Sequence, residues 1–248
     1  MILPNVRASF GRAEAGFLLR LTAGDDERAR KREEDRLREE GFDAILDDPR
    51  TLNALMASGG ISGAPAPLVF YLLVRHALLE DGINNHAVAD YLAALLLEFG
   101  RGQRARRPTE DADAQSYDYL ADIVEALDSA QGREAFLLRA HLGNFALWLS
   151  GLFPDHITAR VERRGAPGLR YYEAMGATGY RLAADTTDAE SWGLDRLYQT
   201  FADNFPALRI ALNRIADRHL FPTRGDAVDR LLRQIADRFH GQVQNRMN

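Results

Sequence analysis

The sequence predicts an all-α protein, a multi-helix bundle of about nine or ten helices, and three observations predict it. Leucine (34), alanine (37) and arginine (30) are abundant, whereas valine, isoleucine and threonine together number only 26. Strong helix formers therefore outweigh the β-branched residues that favour strands. Apolar residues recur at helical spacing in one segment after another. No segment shows sustained polar/apolar alternation between turn signals, as a half-buried strand would. The 248 residues suit one large domain or two small ones. The expected division is an N-terminal region over 1–60, carrying an exposed charged helix, and a helical bundle core domain over 65–240.

Taken in order, residues 1–24 show no clear pattern. Over 25–40, fourteen of sixteen residues are charged. Opposite charges fall four apart at Asp26 and Arg30, Glu27 and Lys31, and Glu34 and Arg38, and Gly41 follows as a helix stop. This reads as an exposed helix. Short helices are expected over 42–47 and 49–57. The stretch SGGISGAPAP (58–67) reads as a linker, with Pro65 and Pro67 at the start of the next helix, where proline is tolerated. Helices over 65–81 and 84–99, turning at Gly82, read as an antiparallel pair. Residues 100–115 form a polar loop with a basic half and an acidic half. Helices then follow near 116–130, 133–153, 155–163, 167–184, 189–204, 206–220 and 225–240. The segment 133–153 is the most apolar, and Trp148 is expected inside it, buried on all sides. Gly143, Ala146, Ser150 and Gly151 along it would let neighbouring helices approach closely. In the segment 225–240, Val228, Leu231, Leu232, Ile235 and Phe239 form one apolar stripe. That stripe must dock on its own bundle or on a second copy, which leans toward a homo-oligomer.

The strings LLRAHLGNFALWLSGLFPD, RRGAPGLRYYEAMGATGYRLAAD and ALNRIADRHLFP resemble an uncharacterised family of bacterial all-helical proteins, most strongly over 137–184. The resemblance implies an all-α fold. It carries no known activity and no functional residues.

Composition excludes several chemistries. With no cysteine there are no disulfides, thiolate nucleophiles, cysteine-ligated zinc or iron–sulfur clusters. Lys31 is the only lysine, and its charged run suits neither a phosphate-binding loop nor a Schiff base. A net charge of −5 and a pI near 5.7 argue against general binding to nucleic acid or an anionic membrane. The N-terminus lacks the uninterrupted apolar core of a secretory signal. The longest uncharged apolar stretch, 140–154, has fifteen residues, short of the roughly 20 that a span needs. A soluble, cytoplasmic protein is expected, with no cofactor.

Four sets of residues could carry chemistry. His141 and Asn144 share one face of the apolar helix and need partners if buried. Tyr171, Tyr172, Glu173, Tyr180 and Arg181 are the candidates, and with Tyr172 the pair could form the polar end of a small-molecule pocket. His76, Glu80, His86 and Asp90 lie four apart on either side of Gly82 and could ligate a metal, although surface ion pairs explain them as well. Arg101, Arg104, Arg106 and Arg107 could hold phosphates, yet Glu110, Asp111 and Asp113 follow at once. The loop SGGISG (58–63) before a helix start could bind an anion, but it lacks phosphate-loop spacing and gives no nucleophile elbow at Ser62. The leading expectation is a non-enzymatic helical scaffold, adaptor or regulatory binding protein, with a protein partner or self-association. The alternatives are a small-molecule or metal-binding enzyme or carrier with a cavity near His141 and Asn144, and a nucleic-acid-associated factor acting through Arg101–Arg107.

Overall fold

A computed structural model describes residues 1–57, 63–111 and 115–222. Residues 58–62 of the expected linker over 58–67, with Ser62, and the expected helix over 225–240 lie outside the described residues. Among the described residues there are thirteen α-helices and no strand, so the all-α fold is as expected and the helix count is higher. Eleven of the individually expected segments fall within the described residues, and the two further helices arise in two places. The segment without a legible pattern contains a helix, and the expected helix over 189–204 is two.

The chain divides into two compact units, residues 2–98 and residues from Phe99 onward, Met1 grouping with the second. The expected boundary in 58–67 is therefore not where the chain parts. The first unit holds α1 (Arg12–Ala23), α2 (Glu27–Glu40), α3 (Phe42–Leu46), α4 (Pro49–Ala57), α5 (Ala66–Glu80) and α6 (His86–Phe99), whose last residue belongs to the second unit. Helix α1 starts where the Glu14 carboxylate accepts the Gly11 N–H at 2.8 Å, and it buries Leu18, Leu19 and Ala23. Helix α2 is capped by Asp26, which accepts from the N–H groups of Arg28 and Ala29, and buries no residue. Its Arg36 pairs with Glu40 at 3.0 Å and with Asp48 ahead of α4. The physical reason that α5 joins this unit is Arg75. Its side chain is 0% exposed, and its Nε and Nη2 clasp both oxygens of Asp47 at 2.7 and 2.6 Å. A buried guanidinium left without its carboxylate would be strongly destabilising, so α5 and the end of α3 must fold together.

The second unit holds α7 (Leu120–Leu127), α8 (Gly132–Leu152), α9 (Pro154–Arg164), α10 (Leu169–Ala184), α11 (Thr187–Ser191), α12 (Asp195–Asp203) and α13 (Phe205–Ile215), which continues into a single π-type turn, Ala216–Leu220. Gly193, at φ +65°, ends α11, because only glycine adopts that left-handed conformation cheaply. That turn splits the expected helix over 189–204. Helix α8 is the hub and packs against α7, α10 and α13. The approach to α10 is close: a Cβ built on Gly179 would lie 2.9 Å from the Arg139 carbonyl oxygen and 2.9 Å from the Gly143 nitrogen. A Cβ on Gly143 would lie 2.7 Å from the Tyr180 ring, and one on Gly151 would lie 2.8 Å from Leu212. The small residues of α8 thus let α10 and α13 approach as their pattern predicts. On α13, Asn213 donates to the Ser150 and Gly151 carbonyls at 2.9 and 2.5 Å, two of the acceptors that the end of α8 leaves without a helical partner. Helix α8 is not buried on all sides, however. Trp148 and Leu149 are half-buried and face a cleft.

A cleft between an arginine stripe and an aromatic wall

Three stretches of the second unit border a cavity of about 770 Å³. From α8 come Phe145, Trp148 and Leu149; from the segment before α7 come Ala105, Arg106, Asp118 and Tyr119; from α9 come His156, Ala159, Arg160, Arg163 and Arg164. The α9 residues stand at i, i+3, i+4, i+7 and i+8, which is one face of a helix. Pro154 opens α9 and Gly165 closes it in the left-handed region at φ +59°. Arg163 and Arg164 sit in its last turn, where the helix dipole favours cations. A smaller cavity of about 160 Å³ shares Asp118, Tyr119, Phe145, Leu149 and Arg160, and adds Pro167, Tyr171 and Tyr172 among others.

The aromatic wall is built in layers along α8. His141 stacks on Phe145 at 6.0 Å between ring centres and 23° between planes, and Phe145 stacks on Trp148 at 6.1 Å and 22°. Phe99 and Phe153 meet Trp148 edge-on at 5.8 and 5.0 Å. Such packing holds a large ring in one orientation. Opposite, the Arg160 guanidinium lies over the Tyr119 ring, 5.1 Å from its centre, a cation–π contact. Arg106 pairs with Asp118 at 3.1 Å. Among the described residues Asp118 is the only acid lining the cavity. Among the described residues no carboxylate pairs with Arg160, Arg163 or Arg164.

The expected site residues fare differently. Asn144 accepts the Tyr180 hydroxyl at 2.8 Å, as one of the expected partners. His141 gains none of them. It is 2% exposed, its Nε2 is buried without a hydrogen-bond partner, and burial together with the nearby Arg104 charge pulls its pKa down to about 3. It is a neutral ring one layer behind the cleft, where it meets Phe99 and Tyr117. Tyr172 lines the smaller cavity, which neither His141 nor Asn144 lines, so the three candidates do not form one site. Glu173 receives Arg209 at 2.6 Å, and Arg181 pairs with Asp203 at 3.8 Å.

The four arginines of 101–107 also separate. Arg106 lines the cleft, while Arg104 is buried, lies over Phe99 at 6.0 Å and donates to the Arg107 carbonyl. In the first unit, His76, Glu80, His86 and Asp90 do not gather. Among the described residues no group of three or more metal-ligating side chains is close enough to hold an ion. The His76 Nε2–H donates to the Leu46 carbonyl at 2.9 Å, and burial lowers the His76 pKa. Asp90 accepts the Arg7 N–H at 2.7 Å, and burial raises its pKa. Arg75 donates to His86 Nε2 at 3.3 Å, while Tyr71 meets His86 Nδ1 at 3.2 Å. Glu80 is exposed at the end of α5. His76, His86 and Asp90 thus serve contacts within the first unit.

Compared with family models, curated proteins and solved structures, the chain has no match. Among the described residues no helix is long and apolar enough to cross a membrane. The residues that sequence reasoning missed are His156, Arg160, Arg163 and Arg164, with Tyr119 opposite. Their signal was present: in HITARVERR the histidine and the three arginines share one helical face. What was absent from the sequence is the side of α9 that meets α8.

Proposed function

We propose that the chain is a non-enzymatic helical binding protein, and that it acts by holding a small organic molecule in the cleft lined by α8 and α9. The observation that carries this reading is the arginine stripe of α9 set against Tyr119, Phe145 and Trp148 around about 770 Å³. Small-molecule sites run from roughly 300 to 1,000 Å³ and combine apolar walls with a few oriented polar groups. A binding role is favoured over a catalytic one because the acid that lines the cleft, Asp118, is engaged by Arg106. Binding to nucleic acid through residues 101–107 is disfavoured because Arg104 turns inward and Arg106 is engaged by Asp118.

A neutral aromatic probe, N-phenyl-1-naphthylamine, tests the reading. Its fluorescence should rise in a saturable manner with one site per chain. Ala159→Trp, which fills the cleft from α9, should abolish that site while the far-ultraviolet circular dichroism stays unchanged. No saturable binding, or binding indifferent to Ala159→Trp, would remove the cleft from consideration.

A further inference from the structure

We infer that the cleft selects a flat aromatic phosphate monoester, of about the size of a nucleoside monophosphate, with its phosphate on the arginine stripe and its ring on the wall. This rests on the cleft being a small-molecule site and names its ligand class. Three features of the lining lead to it.

The first is charge. Arg106, Arg160, Arg163 and Arg164 line the cavity against one acid among the described residues, and that acid is already bound to Arg106. Arg160, Arg163 and Arg164 sit within five consecutive residues of one helix, so their guanidinium groups can converge on a single anion. A carboxylate offers two oxygens and one charge, which a single bidentate arginine satisfies. A phosphate monoester offers three free oxygens and nearly two charges at neutral pH. Three arginines around one point match the second and exceed the first.

The second is the wall. Trp148, Phe145 and Tyr119 present aromatic surface to the same cavity, and the stack from His141 to Trp148 supports the wall from behind. A flat ring gains from stacking there, and an open-chain phosphate does not. The third is the joint between the two. Arg160 lies over Tyr119 and lines both cavities. One residue thus fixes the distance between the anion end and the aromatic end. The smaller cavity, with Tyr171 and Tyr172, leaves room for a substituent on the ring.

The test compares 1-naphthyl phosphate, 1-naphthol, inorganic phosphate and an eight-residue oligothymidylate by calorimetric titration of the full chain. The inference expects naphthyl phosphate to bind at one site at least about tenfold more tightly than naphthol or inorganic phosphate, a gap on the scale of one good charge-assisted contact. Replacing Arg163 and Arg164 together by alanine should erase that gap. Both positions are exposed, so the variant should fold, which circular dichroism checks. Equal binding of naphthol and naphthyl phosphate would overturn the phosphate inference while leaving a small-molecule cleft in place. No binding of any probe would overturn both. Tighter binding of the oligothymidylate than of naphthyl phosphate would overturn the inference in favour of a single-stranded nucleic-acid surface.

Discussion

The Tyr180 hydroxyl on α10 donates to Asn144 Oδ1 on α8 at 2.8 Å, with both residues buried. It crosses the two helices next to the point where Gly143 lets the Tyr180 ring lie flat on α8. A polar bond inside an apolar crossing adds little net stability but sets register, since a shifted α10 would bury the hydroxyl without its acceptor. Tyr180→Phe should therefore cost about 1–2 kcal/mol in urea unfolding. Adding Asn144→Leu should cost less than the sum of the two single changes, because the pair acts as a unit. Strict additivity would show that the two groups do not depend on each other.

Gly179→Ala should be more damaging than its single added methyl suggests. The new Cβ would meet backbone atoms, the Arg139 oxygen and the Gly143 nitrogen, at 2.9 Å. A side chain can rotate away, whereas a helix backbone must move as a whole. Overpacking of this kind costs about 1–3 kcal/mol. A melting temperature within a degree of the parent would mean that α8 and α10 separate more easily than this contact allows.

Much of this fold is legible in the sequence, and the residues show where legibility ends. Helices α5, α6, α8 and α10 follow from apolar spacing, with stops at Gly82 after α5 and Pro154 after α8. Helix α1 escapes because Gly11, rather than serine or threonine, precedes it, and its apolar face is interrupted by Arg20 and Thr22. The small residues of α8 announce a close crossing without naming the partner. Asn144 needs a donor, and Tyr180 is one of several candidates that the sequence offers. His141 obeys the opposite logic: burial neutralises it and aromatic rings surround it, so it needs no polar partner for its charge. The cleft is the least legible part, because it depends on which face of α9 turns toward Trp148. On that face Arg160 lies over Tyr119, which is far away in sequence.

Asp47→Asn should destabilise the first unit by about 3 kcal/mol or more, the scale for removing one partner of a buried ion pair. Asp47 is the carboxylate of Arg75, whose Nη1 is already buried without a hydrogen-bond partner. Replacing both residues, as in Arg75→Met with Asp47→Asn, should recover much of the loss, because no buried charge then remains. Proteolysis of residues 2–98, followed by mass spectrometry, would read the effect locally. Arg75 Nη2 also donates to Asn84 Oδ1 at 2.5 Å and to His86 Nε2 at 3.3 Å, and if the single change leaves digestion unaltered, these two satisfy it alone.

Acid should weaken the fold through His141. In the folded chain its pKa lies at about 3, pulled down first by burial and then by Arg104, whereas in the unfolded chain it returns to the ordinary value near 6.5. A depressed folded value means that the unfolded state takes up the proton first. The stability associated with a neutral His141 is therefore complete above about pH 6.5 and declines progressively as the pH falls from there toward 3. Urea unfolding of the parent at pH 7.5 and pH 5 should show the decline. His141→Leu keeps the apolar volume against Phe99, Tyr117 and Phe145 and removes the titrating group. It should be close to the parent at pH 7.5 and more stable than the parent at pH 5. Carboxylates with lowered pKa values, Asp47 among them, lose stability over a more acidic range and do so in both proteins. The difference between the two curves thus isolates the imidazole. Parallel curves from pH 7.5 to pH 5 would show that His141 takes its proton in the folded chain, and hence that water reaches its ring.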